Sequence, residues 1–256
     1  MVYSKKKIDN DFVKEDRFVV NDIPVLRFQA NTKQKKLPTI LYYHGWSSNK
    51  EFQRFKANVM AMYGYQVIVP DSKYHGERNS IDFTKENTIE KYLLKTVYSS
   101  IKEAPSIIDF IKDLSSTDQE RISIMGTSMG GFTSSGLFFK YQLFKTLVVF
   151  NGACAWQKVK TFIEENNTER NLEYQEELVK YDPDKNLDKI NERPILMLHG
   201  DNDTAIPIEV QRYFYKKASE FYENKNKIRL IEVPRMNHYI SLGMLENAIS
   251  FNKDYL

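Results

Sequence analysis

The chain is poor in the features that mark specialised classes. Its 256 residues include one cysteine, Cys154, which excludes an internal disulfide and any multi-cysteine metal site. A lone cysteine ordinarily serves as a small buried residue, and that is the expectation for Cys154. Long apolar runs are missing too. The best of them, such as Thr146 to Phe150 and Ile195 to Leu198, have the length of a strand and not of a bilayer span, so no membrane partner is expected. Charge of one sign does not accumulate. The 37 basic and 34 acidic residues leave +3, spread along the chain with no basic stripe, and this argues against nucleic acid as a partner. Met1 to Lys7 carry positive charge but lead into Ile8-Asp9-Asn10-Asp11, where an export signal needs an apolar stretch. A cytoplasmic protein is therefore expected. The remaining composition, 41% hydrophobic and 28% charged, is that of an ordinary soluble globular chain, and the length suits one domain over residues 1–256.

Short β-rich runs alternate with stretches of helical period, the pattern of a mostly parallel sheet covered on both faces. Phe18 to Val20 and Val25 to Phe28, split by Asn21-Asp22-Ile23-Pro24, predict an antiparallel hairpin. Six further strands are expected at Thr39 to Tyr43, Tyr65 to Val69, Arg121 to Met125, Thr146 to Phe150, Ile195 to Leu198 and Ile228 to Val233, making eight. Helices are expected over Asn49 to Tyr63, Ile89 to Leu114, Met129 to Tyr141, Pro207 to Tyr222 and Ile240 to Lys253, with Pro105 kinking or dividing the second. One connection is long. Between Ala153 and Glu192, Trp156, Val159, Phe162 and Ile163 share a helical face, and Leu172, Leu178, Val179 and Tyr181 continue the apolar supply. Helical pieces there form either a small lid, residues 153–192, or a plain cover for the sheet.

The chemistry centres on Gly126-Thr127-Ser128-Met129-Gly130, which places a serine between two glycines directly after an apolar strand. A serine on a sharp strand-to-helix turn has its hydroxyl pushed outward, and only residues without bulk can flank it. A five-residue match of this kind arises by chance in roughly one protein in ten, so the rest of the chain must supply what the serine needs. A serine hydroxyl requires a base, usually histidine, oriented by a carboxylate. Only four histidines exist, His44, His75, His199 and His238, and each falls at a strand end or in the loop after it, the edge where open α/β sheets bind ligands. His238, in the loop after the last strand, is the expected base. Asp203 in His199-Gly200-Asp201-Asn202-Asp203 is the favoured acid, while Asp201, beside the turn glycine, is expected to bond local backbone amides and is the substitute. The backbone amides of Trp46, in Tyr43-His44-Gly45-Trp46-Ser47, and of Met129 are the candidate oxyanion donors.

These residues resemble the α/β-hydrolase fold family. His44-Gly45-Trp46, Gly126 to Gly130, His199 to Asp203 with Pro207, and His238 stand in that family's order of oxyanion loop, nucleophile, acid and histidine. Pro70-Asp71-Ser72-Lys73-Tyr74-His75-Gly76-Glu77-Arg78 narrows the resemblance to the dienelactone hydrolase and prolyl-oligopeptidase-like esterases. The resemblance implies an α/β fold with a mostly parallel eight-stranded sheet, helices on both faces and a small helical lid. The chain departs from the family at the nucleophile, which is serine, so the cysteine-dependent chemistry of dienelactone hydrolase proper is not implied. His75 and Arg78 are expected to scaffold the rim of the site, with Asp71 accepting local amide bonds and Arg78 pairing with a carboxylate. Substrate contacts are expected from Trp46, His75 and Trp156. The expected protein is a serine carboxylesterase, monomer or homodimer, needing no cofactor or metal and acting on a small-molecule ester. A thioesterase, amidase, peptidase or acyltransferase would use the same three residues, and a non-catalytic small-molecule binder is the rival from another class.

Overall fold

The computed structural model describes residues 11–159 and 175–256. Strand β1 (Val13–Val20) turns into β2 (Ile23–Ala30) through Asn21 and Asp22, whose φ values of 46° and 63° are those a two-residue hairpin turn requires. The hairpin is therefore tighter than the four-residue split expected, and Ile23 and Pro24 already belong to β2. Then follow β3 (Leu37–Tyr43), α1 (Arg54–Met62), β4 (Gln66–Pro70), α2 (Thr88–Asp113), β5 (Thr117–Thr127) and α3 (Met129–Lys140). The chain continues with β6 (Phe144–Phe150), the short α4 (Gln175–Val179), β7 (Ile195–Gly200), α5 (Ile208–Ser219), β8 (Ile228–Val233) and α6 (Leu242–Tyr255).

The eight strands form one sheet in the order β1-β2-β4-β3-β5-β6-β7-β8. Only the β1–β2 and β2–β4 pairings are antiparallel, and the rest run parallel. Side chains alternate between two apolar layers. Leu41, Tyr43, Ile124, Leu147 and Val149 face α2, α3 and α5, whereas Ile40, Tyr42, Met125, Val148 and Leu198 face α1 and α6. Burial on both faces is why the central strands read as continuous apolar runs. This is the α/β-hydrolase architecture. It sends every parallel strand toward one edge, where the loops after β3, β4, β5, β7 and β8 meet.

Helix α2 runs unbroken through Pro105, so of the two expectations, a kink or a division, the proline does not divide it. One face of α2 buries Val97, Ile101, Ala104, Ile107, Ile108 and Ile111. At about 1.5–3 kcal/mol for each large side chain, that burial outweighs the roughly 3 kcal/mol an internal proline costs. The described ends of the 153–192 insertion also belong to the core: Ala153, Cys154, Trp156, Val159, Leu178, Leu187 and Ile190 are buried in the layer that holds α3. Phe162, Ile163 and Leu172 lie outside the described residues. No helix among the described residues is long and apolar enough to cross a membrane.

Candidate active site

Ser128 sits between the end of β5 and the start of α3 with φ 52° and ψ −116°, a conformation that costs a non-glycine residue about 1–3 kcal/mol. The neighbouring glycines show what enforces it. A Cβ on Gly126 would lie 1.9 Å from the Gly130 carbonyl oxygen, and one on Gly130 would lie 2.1 Å from that of Tyr43. The first turn of α3 is thus pressed against the ends of β5 and β3, and no side chain fits between them. The turn is pinned from both sides. The Ser128 amide donates to Phe150 O at 2.9 Å, and the Ser128 carbonyl accepts from Gly131 and Phe132 at 2.7 and 3.2 Å.

The loop after β3 lies directly against this turn, since a Cβ on Gly45 would be 3.5 Å from the Ser128 Cβ. Its geometry is fixed by His44, which is fully buried. Nδ1–H of His44 donates to Gly45 O at 2.8 Å, and Nε2 accepts from the Ser72 amide at 3.0 Å, an arrangement only the neutral ring can make. Burial pushes the His44 imidazole down to about 4, so it stays neutral at ordinary pH. Among the described residues, the backbone bonds that hold these turns use neither the Trp46 amide nor the Met129 amide.

Behind that loop lies an ion cluster centred on a buried ammonium. Lys50 Nζ bonds Asp71 Oδ2 at 2.7 Å, Glu51 Oε1 at 2.8 Å and Glu77 Oε1 at 2.5 Å. The three carboxylates bring oxygens within 4.8 Å of one another, a spacing that suits a cation, and the ammonium already fills it. Asp71 also accepts from the Lys50 and Glu77 amides at 2.9 and 3.1 Å, and Arg78 holds Glu103 through two 2.7 Å bonds, so the loop 70–78 is a scaffold as its sequence suggests. His75 differs from its expected place at the substrate. It is fully buried, with its ring centre 5.1 Å from that of Trp46 and 4.8 Å from that of Phe83. It therefore props Trp46, the half-buried residue of this trio that follows the turn.

On the other side, His238 Nδ1 bonds Asp203 Oδ2 at 2.7 Å. The Asp203 side chain is fully buried, whereas that of His238 is 27% exposed and has room to move. The same Oδ2 lies 3.2 Å from His199 Nε2, which also donates to Ile206 O at 2.8 Å. Burial alone would raise the Asp203 carboxyl. Hydrogen bonds from His199, His238 and the Ile206 amide outweigh it and hold the group well below the usual carboxylate range. Asp203 is thus ionised and aimed. The roles foreseen for the two aspartates are redistributed, because Asp203 takes the local amides of Ala205 and Ile206, each at 2.9 Å, as well as His238. Asp201 does not: its Oδ1 is buried with no partner among the described residues. Trp156, expected at the substrate, is 8% exposed, donates to Ser135 Oγ and Ala153 O, and fills the space over Gly136, which makes it a pillar of the core.

Three residues that sequence reasoning did not assign complete the site. His199 touches the acid, Asn237 Oδ1 gathers the amides of Thr204 and His238, and Asn151 reaches the loops after β7 and β8. The only sequence signal for the asparagines is their position at strand ends.

Comparisons with known proteins place the chain among hydrolases of this fold. The chain is 25% identical over 247 residues to Esterase YjfP of Escherichia coli, covering 92% of this chain and 96% of that one. Among solved structures it is similar to TT1662 from Thermus thermophilus, with a TM-score of 0.80 at 16% identity over 94% of this chain and 97% of the other. It is also similar to the Pyrococcus horikoshii acylaminoacyl peptidase, with a TM-score of 0.70 at 19% identity over 95% of this chain and 42% of that one. The sequence pattern of the prolyl oligopeptidase family matches residues 50–250, most of the chain, and the elbow serine, the acid loop and the histidine loop all lie within that span: the chain belongs to the prolyl oligopeptidase family.

Proposed function

We propose that the protein is a serine esterase that cleaves small to medium carboxylic esters through an acyl-enzyme on Ser128. The observation that carries this reading is the 2.7 Å bond between His238 and a buried, ionised Asp203 at the sheet edge that presents the left-handed Ser128. Ser128 Oγ attacks the acyl carbonyl as His238 Nε2 takes its proton, and Asp203 stabilises the imidazolium that results. The amides of Trp46 and Met129 receive the oxyanion, each such donor being worth about 3 kcal/mol in the transition state. His238 then returns the proton to the leaving alcohol, and water repeats the sequence to release the acid. No step asks for a metal, since every charge that develops has a partner in the chain.

The name of the Escherichia coli relative supports ester cleavage. The family description and the acylaminoacyl peptidase neighbour favour a second reading, in which the leaving group is an amine. The two are separated by turnover of ester, thioester and amide substrates that share one acyl group. The ester is expected to be fastest, and Ser128→Ala should remove activity on all of them. A Ser128→Ala enzyme with wild-type ester turnover would end the reading, and an amide cleaved faster than its ester would select the second.

A further inference from the structure

We infer that Asn151 is the positioning residue that holds the Asp203–His238 pair in register with Ser128. Asn151 is 1% exposed and follows the last residue of β6 in a left-handed conformation, φ 43°, which asparagine tolerates better than other side chains that carry a Cβ. Its Nδ2–H donates to the carbonyl of Tyr239, the residue after His238, at 2.7 Å. Its Oδ1 accepts from the amide of Gly200, where the acid loop begins, at 3.1 Å. On either side of it the chain touches the nucleophile turn. Phe150 O accepts the Ser128 amide at 2.9 Å, and a Cβ on Gly152 would lie 3.2 Å from Ser128 O.

Most other bonds of the acid and base loops lie within those loops or join them to each other, while the backbone bond from Asn151 N–H to Leu198 O at 2.9 Å ties the end of β6 to that of β7. Asn202 N–H donates to Met236 O at 3.0 Å, Asn237 Oδ1 accepts from the Thr204 amide at 3.0 Å, and a Cβ on Gly200 would strike Met236 O at 2.3 Å. The bonds between the loops keep Asp203 and His238 together, but none of them reaches the Ser128 turn. Among the described residues, Asn151 is the side chain that bonds both loops while its own backbone neighbours hold the serine turn. Proton transfer from Ser128 demands that the imidazole arrive within hydrogen-bond reach, and a displacement of about 1 Å costs on the order of 100-fold in rate.

This inference rests on Ser128 and His238 acting as nucleophile and base, so its test uses a reaction that needs those two groups and no particular substrate. The rate of Ser128 labelling by a fluorophosphonate is measured for wild type, Asn151→Gly and Asn151→Asp, each alone and combined with His238→Ala, with thermal melting to confirm folding. Glycine accepts the left-handed backbone and removes both side-chain bonds. Aspartate keeps the shape and the acceptor for Gly200 but loses the donor to Tyr239. Both variants are expected to label roughly 10- to 100-fold more slowly through kinact, with KI within about 3-fold, and to change the rate little once His238 is already alanine. Wild-type labelling in Asn151→Gly would overturn the inference, as would an equal loss in the His238→Ala background, which marks general structural damage. If Asn151→Gly fails to fold, Asn151→Asp decides by the same criteria. Wild type that labels but turns over no ester removes the esterase reading and leaves Asn151 tested, whereas wild type that does not label overturns both.

Discussion

The two sides of the Ser128 turn are built from different materials. The side after β3 and β4 is held by a buried ammonium with three carboxylates and by a neutral histidine locked between two backbone groups. The side after β7 and β8 is held by amide and carboxylate side chains bonded to loop backbone, and its histidine is part exposed. The difference follows the chemistry each side has to do. An oxyanion site works through dipoles that must already point the right way, so rigidity serves it. A base must accept a proton, turn slightly and give it back, so it needs a fixed anchor and a ring with room to move.

Several substitutions break one side while sparing the other. Asp203→Asn should lower kcat by about 10⁴-fold by removing the charge opposite the imidazolium, with folding intact by circular dichroism. Asp201→Asn should stay within a few-fold of wild type, because Asp201 holds neither the base nor the local amides. Lys50→Met strikes the other side. It leaves the buried Asp71 without its cation, while the exposed Glu77 keeps Arg17, and should cost roughly 3–5 kcal/mol in urea unfolding.

The next effect depends on pH. His44 and His75 are both pushed down to about 4, mainly by burial, so between pH 6.5 and 4 the unfolded chain binds protons that the folded chain refuses. Unfolding free energy should therefore hold above pH 6.5 and fall toward pH 4, by up to roughly 3 kcal/mol per histidine. The contribution of Asp203 has the opposite origin: it is present above the ordinary aspartate range and is lost only below about pH 4. His75→Phe should halve the fall between pH 6.5 and 4 and change stability at pH 7 by about 1 kcal/mol, since it loses the 2.9 Å bond from Nδ1 to Lys73 O while Nε2 has no partner among the described residues to lose. The smallest effect is expected from Trp156→Phe, a loss of about 1 kcal/mol in stability from the missing indole bonds with KM unchanged. A large change in KM would return Trp156 to the substrate.

Most of the fold was legible in the sequence because the strands are buried on both faces and stand out as short apolar runs, from Thr39 to Tyr43 through Ile228 to Val233. The candidate pairing of His238 with Asp203 could be read from order along the chain, since each strand of a parallel sheet delivers the loop after it to one edge. What could not be read depends on distances across that edge. Nothing in the spacing of Asn151 says that its amide faces Tyr239, 88 residues away. Trp156 and His75 misled for the opposite reason: an aromatic residue near a candidate site has the same letter whether it lines the pocket or supports it from beneath. Pro105 left open whether α2 would be kinked or divided, and the long apolar face keeps the helix in one piece.

The cluster around Lys50 has a further consequence for how the protein can be handled and controlled. The tie that fastens the loop beside Ser128 is a side chain translated with the rest of the protein, not an ion drawn from the surroundings. The loop is set once the chain folds, and unfolding measured with and without a chelator should therefore give the same stability. With its ammonium sealed from water, Lys50 is also shielded from reagents and enzymes that acylate amines, so this charge is one that modification of the folded surface leaves in place.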